Sequence, residues 1–173
     1  MTDPEIRQEL HHANHHEIRH EIRHELHHES RQEIRHEIRR ARTVAELVAA
    51  GPLFDSPTRP EAARDFLSTP GHHLYLAYAD DAESPVGFIS GVETVHPDKG
   101  REMFLYELAV AAPYRRRGIA RALIRTLAEL AAELGCYDMW VGVDTDNDVA
   151  LAAYRSAGGT DEGPCAVITW NFT

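Results

Sequence analysis

Residues 107–124 read Glu107-Leu108-Ala109-Val110-Ala111-Ala112-Pro113-Tyr114-Arg115-Arg116-Arg117-Gly118-Ile119-Ala120-Arg121-Ala122-Leu123-Ile124. A strand ends in small apolar residues, turns through Pro113, and enters a helix through three arginines and a glycine. Gly118 permits close backbone approach at the helix start, and Ala120 keeps the next turn narrow. The first N–H groups of such a helix have no acceptor within it, and the positive end of its dipole lies there too. The junction is therefore an anion site suited to a pyrophosphate, with Arg115, Arg116 and Arg117 supplying charge.

Working outward, the helix runs from about Gly118 to Leu134 and is closed by Gly135. A strand from Tyr137 to Val143 follows, then a helix from about Asn147 to Ala157 closed by Gly158-Gly159, and a last strand from Cys165 to Phe172. Upstream, the apolar runs His73 to Ala79, Val86 to His96 and Arg101 to Val110 are separated by turn sequences, which makes an antiparallel meander. Before them lie a strand starting near Glu37, a Thr43-capped helix at Val44 to Val48, and a second short helix after Pro60. The order β-α-α-β-β-β-α-β-α-β is an α/β fold with a mixed, largely antiparallel central sheet flanked by helices.

Residues 5–40 are different in kind: nine consecutive tetrads, from EIRQ to EIRR, with residues 5–20 and 21–36 agreeing at 11 of 16 positions. Four residues cannot form a supersecondary unit, so this is low-complexity sequence and not a solenoid. A period of four also drifts about 40° around a helix at each repeat, which leaves no straight apolar seam for a partner. Residues 1–36 are read as an arm, a solvated marginal helix or a disordered segment, and residues 37–173 as the folded domain. Nine of the chain's 12 histidines lie in the first 40 residues. His12, His16, His20, His24 and His28 share i, i+4 spacing, but no acidic or thiol ligand set with structural-site spacing accompanies them. No metal is assigned.

At 173 residues and 43% apolar content the chain is one domain with an appendage. The formal charge is −10, of which residues 41–173 carry −8, so the body would repel phosphate backbones and attract cations. Nucleic-acid binding is excluded on that ground. No signal-like start and no run of ~20 apolar residues occurs, so a soluble, cytoplasmic protein without a membrane partner is expected. Cys136 and Cys165 have no second ligand at C-x-x-C spacing and read as buried thiols.

The pattern Arg115-x-x-Gly118-x-Ala120 resembles the Arg/Gln-x-x-Gly-x-Gly/Ala signature of the GNAT superfamily of acyl-CoA-dependent N-acetyltransferases. Its specificity comes from context: the strand ending Leu108-Ala109-Val110 before it, the long amphipathic helix after it, and Asn147-x-x-Ala150-x-x-x-Tyr154-x-x-x-Gly158 one strand and one helix downstream. The runs Leu53-Phe54-Asp55, Tyr106 to Val110, Tyr114 to Ala120 and Ala150 to Tyr154 look most like the GNAT-type aminoglycoside 3-N-acetyltransferases.

The resemblance implies acetyl-CoA as cosubstrate, in a V-shaped cleft where the strand ending at Val110 splays from the strand beginning at Tyr137. Leu108, Ala109 and Val110 would line the pantetheine arm, with the Val110 N–H polarising the thioester carbonyl. Arg115, Arg116, Arg117, Gly118, Ile119, Ala120 and Arg121 would hold the pyrophosphate, and Asn147 and Tyr154 would also contact the cofactor. An alkyl ammonium titrating near ~10.4 must lose a proton before it can attack. Glu107 is the candidate base, or else a strand residue facing solvent or binding the substrate cation. Tyr154 is the candidate acid, or else a packed helix aromatic. Asp55, Glu93, Glu107, Asp144 and Asp146 are the candidate acidic wall for a small cationic acceptor, an aminoglycoside first. A protein or metabolite amine is the alternative acceptor, and a non-catalytic acyl-CoA-binding module is the alternative class. Dimers are common among such proteins, so a homodimer is implied by resemblance alone.

Overall fold

The computed structural model describes residues 36–172 apart from 81 and 165. The tetrad arm up to residue 35, with its alternative helix and disorder readings and its histidine rows, lies outside the described residues, as does Cys165. The compact unit that holds the described residues is Arg35–Thr173.

Its elements are β1 (His36–Arg40), α1 (Val44–Ala49), a 3-10 turn (Gly51–Leu53), α2 (Pro60–Ser68), β2 (His72–Ala79), β3 (Gly87–His96), β4 (Gly100–Val110), a second 3-10 turn (Ala112–Tyr114), α3 (Ile119–Glu133), β5 (Met139–Trp140) and α4 (Asp148–Ser156). The strands form one five-stranded sheet in the order β1-β2-β3-β4-β5. Each neighbouring pair is antiparallel except β4 with β5, which is parallel. Short connections permit the antiparallel meander, whereas the parallel step needs a crossover, and α3 provides it.

Local chemistry starts the helices where the residues indicate. Thr43 accepts from the Glu46 N–H while the Glu46 carboxylate accepts from the Thr43 N–H at 2.9 Å, a reciprocal capping box that opens α1. Pro60 supplies the pre-set φ at the start of α2. Gly118 caps α3 at φ 83°, a left-handed conformation that costs glycine nothing.

The two sheet faces bury different cores. On one, Leu74, Leu76 and Phe88 pack with Ala41, Leu47, Ala50 and Ala63 beneath α1 and α2, and the Phe54 ring meets Phe88 edge-on at 4.6 Å between centroids. On the other, α3 lays down Ile119, Leu123, Ile124, Leu127 and Ala131. It sits so close that a Cβ on Gly91 would come within 2.8 Å of Leu127 and 2.9 Å of Met103. Side chains alternate along a strand, so Phe88 and Ser90 face α1 and α2, while Ile89, Gly91 and Glu93 face α3.

The C-terminal expectations need correction. β5 is confined to Met139–Trp140 instead of running from 137 to 143, and residues 166–172 form no strand. Val167, Ile168, Trp170 and Phe172 are exposed. Their alternation states a preference for extended backbone, but a strand exists only where a neighbour supplies the ladder hydrogen bonds. Cys136 is half-buried, and that burial pushes its thiol up.

Candidate active site

β4 and β5 diverge. Met103 and Phe104 pair with Met139 and Trp140, the Met103 N–H donates to Asp138 at 3.0 Å, and the Tyr137 N–H donates to Arg101 at 2.8 Å. The Phe104 and Trp140 rings stack at 4.3 Å, and beyond them β4 continues through residues 105–110 with β3 as its only strand neighbour among the described residues. The fork leaves one edge of β4 open.

Which backbone groups face that edge follows from one bond. The Ala111 N–H donates to the Val86 carbonyl at 2.8 Å, toward β3. In extended chain the direction alternates, so the N–H and C=O of Val110, and those of Leu108, face the open edge while those of Ala109 face β3. The Val110 carbonyl is already taken, because the Arg115 Nε–H donates to it at 2.8 Å. The Val110 N–H and both groups of Leu108 remain to receive an added extended segment.

Past Val110 the chain makes the anion cradle. Arg116 has φ 63° and Gly118 has φ 83°, two left-handed residues with Arg117 between them, the first a strained conformation for a side chain with a Cβ. The first α3 bond runs from the Ala122 N–H to the Gly118 carbonyl. The N–H groups of Ile119, Ala120 and Arg121 therefore have no acceptor inside the helix. Arg115, Arg116, Arg117 and Arg121 are exposed around this end, and the Arg117 guanidinium lies 5.2 Å from the Tyr114 ring centroid. A cradle of free N–H groups ringed by four guanidinium groups fits the pyrophosphate of acetyl-CoA, and the free edge of β4 fits its pantetheine arm.

Glu107 sits between these parts. It is the cross-strand partner of Ser90, and Ala109 is that of Phe88, so Glu107 faces the α1 and α2 side of the sheet. A β-bulge falls at this step: Ser90 pairs with Glu107 but Gly91 pairs with Leu105, leaving Tyr106 as the extra residue. Bulges re-aim the side chains beside them. The Glu107 carboxyl is raised above the ordinary carboxylate range, first by burial and then by the negative charge of Asp55. The structure thus brings together Asp55 and Glu107, which lie 52 positions apart in the chain. Among the described residues, Glu107 accepts no hydrogen bond.

Glu93 is placed elsewhere, contrary to the acidic-wall expectation. It points to the α3 face, where Oε1 accepts from His73 Nε2 at 2.7 Å and Oε2 pairs with Arg101. The alternation of β3 separates it from Glu107, so it forms no part of this site. Asp144 and Asp146 are exposed in the turn before α4, where the Asn147 N–H donates to the Asp144 carbonyl at 3.0 Å. Asn147 caps α4, its Oδ1 accepting from the Ala150 N–H at 3.1 Å, which leaves its amide nitrogen for a contact outside the helix. Tyr154 is half-buried on α4, and burial raises its phenol. Sequence reasoning missed Ser90 and the Phe104–Trp140 stack. A serine or an aromatic within a strand carries no mark of its own, and only the register places it.

The chain matches the acetyltransferase (GNAT) family over residues 20–158. It is 35% identical over 118 residues to N-alpha-acetyltransferase RimI of Mycobacterium tuberculosis, covering 68% of this chain and 71% of that protein. It is 29% identical over 99 residues to N-acetyltransferase 8B of Rattus norvegicus, covering 57% of this chain and 44% of that one. The chain spans about half the length of such mammalian relatives. Among solved structures it resembles aminoglycoside acetyltransferase meta-AAC0020 from an uncultured soil metagenomic sample, with a TM-score of 0.72, 21% identity, and 80% of this chain and 97% of that chain covered. It also resembles aminoglycoside 6'-N-acetyltransferase AAC(6')-Ih of Acinetobacter baumannii, with a TM-score of 0.66, 17% identity, and 80% of this chain and 100% of that chain covered. These likenesses are of fold, and the one whose acetylation position is named is a 6'-N enzyme, not one of the expected 3-N group. With the forked sheet, the arginine cradle and the matched family in agreement, the chain belongs to the acetyltransferase (GNAT) family.

Proposed function

We propose that the protein is an acetyl-CoA-dependent N-acetyltransferase whose acceptor is a small cationic amine, with aminoglycosides the first class to test. The observation that carries this reading is the Glu107–Asp55 pair beside the fork of β4 and β5. Two carboxylates close enough to raise the pKa of one favour a cationic ligand, and an amine substrate arrives as a cation.

Bound acetyl-CoA supplies the activated acyl group. Leu108 and Val110 orient its arm as a neighbouring strand would, and the α3 N-terminus with its arginines holds the anionic end. The Val110 N–H, on the same edge, is the donor for the thioester oxygen. Glu107 takes the proton from the ammonium. Its raised pKa brings it nearer to neutrality, where a base is still ionised at working pH yet basic enough to accept. The Tyr154 phenol, protonated at neutral pH and raised further by burial, is the proton donor for the departing thiolate.

The similarity to RimI favours a second acceptor class, the amine of a protein chain. The deciding experiment follows thiol release from acetyl-CoA with separate aminoglycosides, polyamines and an amino-terminal peptide. Turnover with an aminoglycoside or polyamine and none with the peptide supports the proposal. The reverse pattern moves the assignment to a protein acceptor, and saturable acetyl-CoA binding without turnover on any acceptor overturns the enzyme reading.

A further inference from the structure

Ser90 is the one described residue that is buried with a side-chain polar atom lacking a hydrogen-bond partner in the protein. It is 5% exposed on β3, a central strand, on the face that carries Phe88. Directly across the ladder stands Glu107, whose carboxylate also accepts no hydrogen bond among the described residues. A hydroxyl without an acceptor and a carboxylate without a donor thus project from adjacent strands to the same side. They do not reach each other. A serine side chain ends one bond from Cβ while the Glu107 carboxylate ends two bonds farther out, and the bulge at Tyr106 alters the local twist at this step. Two polar groups separated in this way can be bridged by one water that accepts from the hydroxyl and donates to the carboxylate.

We infer that Ser90 is a positioning residue that fixes a relay water against the Glu107 carboxylate, through which the acceptor ammonium loses its proton. The inference rests on the proposed role of Glu107 and deepens it. The ammonium N–H passes a proton to the water oxygen as the water passes one of its own to Glu107. The Ser90 hydroxyl keeps its proton throughout and orients the water. The charged group that acts on Glu107 is Asp55. Neither carboxylate can orient the water by donation, because an ionised carboxylate only accepts.

The test compares the full chain with Ser90→Ala, Ser90→Thr, Glu107→Gln and the Ser90→Ala/Glu107→Gln double variant, using the acceptor that turns over best. Ser90→Ala should lower kcat about tenfold while leaving the acetyl-CoA KM unchanged, a fraction of the full effect of a general base. A bound water donating to the carboxylate favours its ionised form, so losing it should move the acidic limb of kcat/KM to higher pH. Ser90→Thr keeps the hydroxyl and should restore both readouts. In the Glu107→Gln background Ser90→Ala should cost nothing further, because the two act on one proton path. An unchanged kcat and pH limb in Ser90→Ala overturns the role of Ser90, as does a loss that Ser90→Thr fails to restore or that persists additively in the Glu107→Gln background. If Glu107→Gln alone turns over normally, the base assignment itself falls, whatever Ser90 does.

Discussion

Two glutamates on adjacent central strands meet opposite fates. Glu93 on β3 faces α3, with His73 on one carboxylate oxygen and Arg101 on the other. Burial works to raise its pKa, but the His73 hydrogen bond and the Arg101 charge outweigh that and hold it below the usual carboxylate range. Glu107 on β4 faces the other side, has no donor among the described residues, and is pushed up by burial and by Asp55. The first is an ionised carboxylate whose charge the fold has compensated, and the second is one that the described residues leave without a donor. A carboxylate perturbed by burial in a cleft is a candidate functional group, whereas ion-pair networks such as that of Glu93 perturb carboxylates for structural reasons.

His73 shows how completed the Glu93 network is. Its Nδ1 faces the Arg40 guanidinium at 3.0 Å, and arginine can only donate, so Nδ1 is the acceptor and the ring is neutral with its proton on Nε2. Pairing with Glu93 alone would favour the imidazolium. Burial, reinforced by the Arg40 charge, outweighs it and lowers the His73 pKa.

The contrast can be broken most sharply by paired substitutions. Glu107→Gln should reduce kcat by ~10²–10⁴-fold with a melting temperature equal to or above the parent's, as measured by thiol release and thermal unfolding. Glu93→Ala should do the reverse: about 3 kcal/mol of stability lost in urea titration, because His73 and Arg101 lose their partner, with turnover of the remaining folded protein preserved. Equal effects of the two on turnover would erase the distinction.

Acid should separate the pair in stages. The folded His73 binds fewer protons than the unfolded one, so its stabilising contribution is complete above the unfolded imidazole value of ~6.5 and is lost as pH falls below it. The Glu93 contribution is complete above ~4.3 and is lost as pH falls through its lowered folded value. Urea midpoints collected against pH should show the first decline shrinking in His73→Gln. The smallest effect is expected from Asp55→Asn. Removing that negative charge should move the acidic limb of the turnover profile to lower pH by less than about one unit, while Glu93→Gln leaves the limb in place.

Much of this arrangement was legible in the residues. Pro113, Gly118 and the alternation before and after them located the strand-to-helix junction, and Thr43 and Asn147 marked helix starts that the caps realise. What could not be read was cross-strand geometry. The opposite facing of Glu93 and Glu107 depends on which residue of β3 meets which of β4, and the bulge at Tyr106 resets that register. No property of Tyr106 announces the extra residue. The C-terminal run failed for a related reason: its apolar alternation describes one strand, whereas pairing is a property of two.

The fork between β4 and β5 has a consequence for amide exchange with deuterated solvent. Along a strand with one neighbour, protection should alternate: Ala109 and Ala111, bonded toward β3, exchange slowly, while Leu108 and Val110 exchange fast. Adding coenzyme should slow the fast pair and leave the slow pair as it was. The sheet would then be seen to acquire its missing neighbour from the molecule it consumes, two amides at a time.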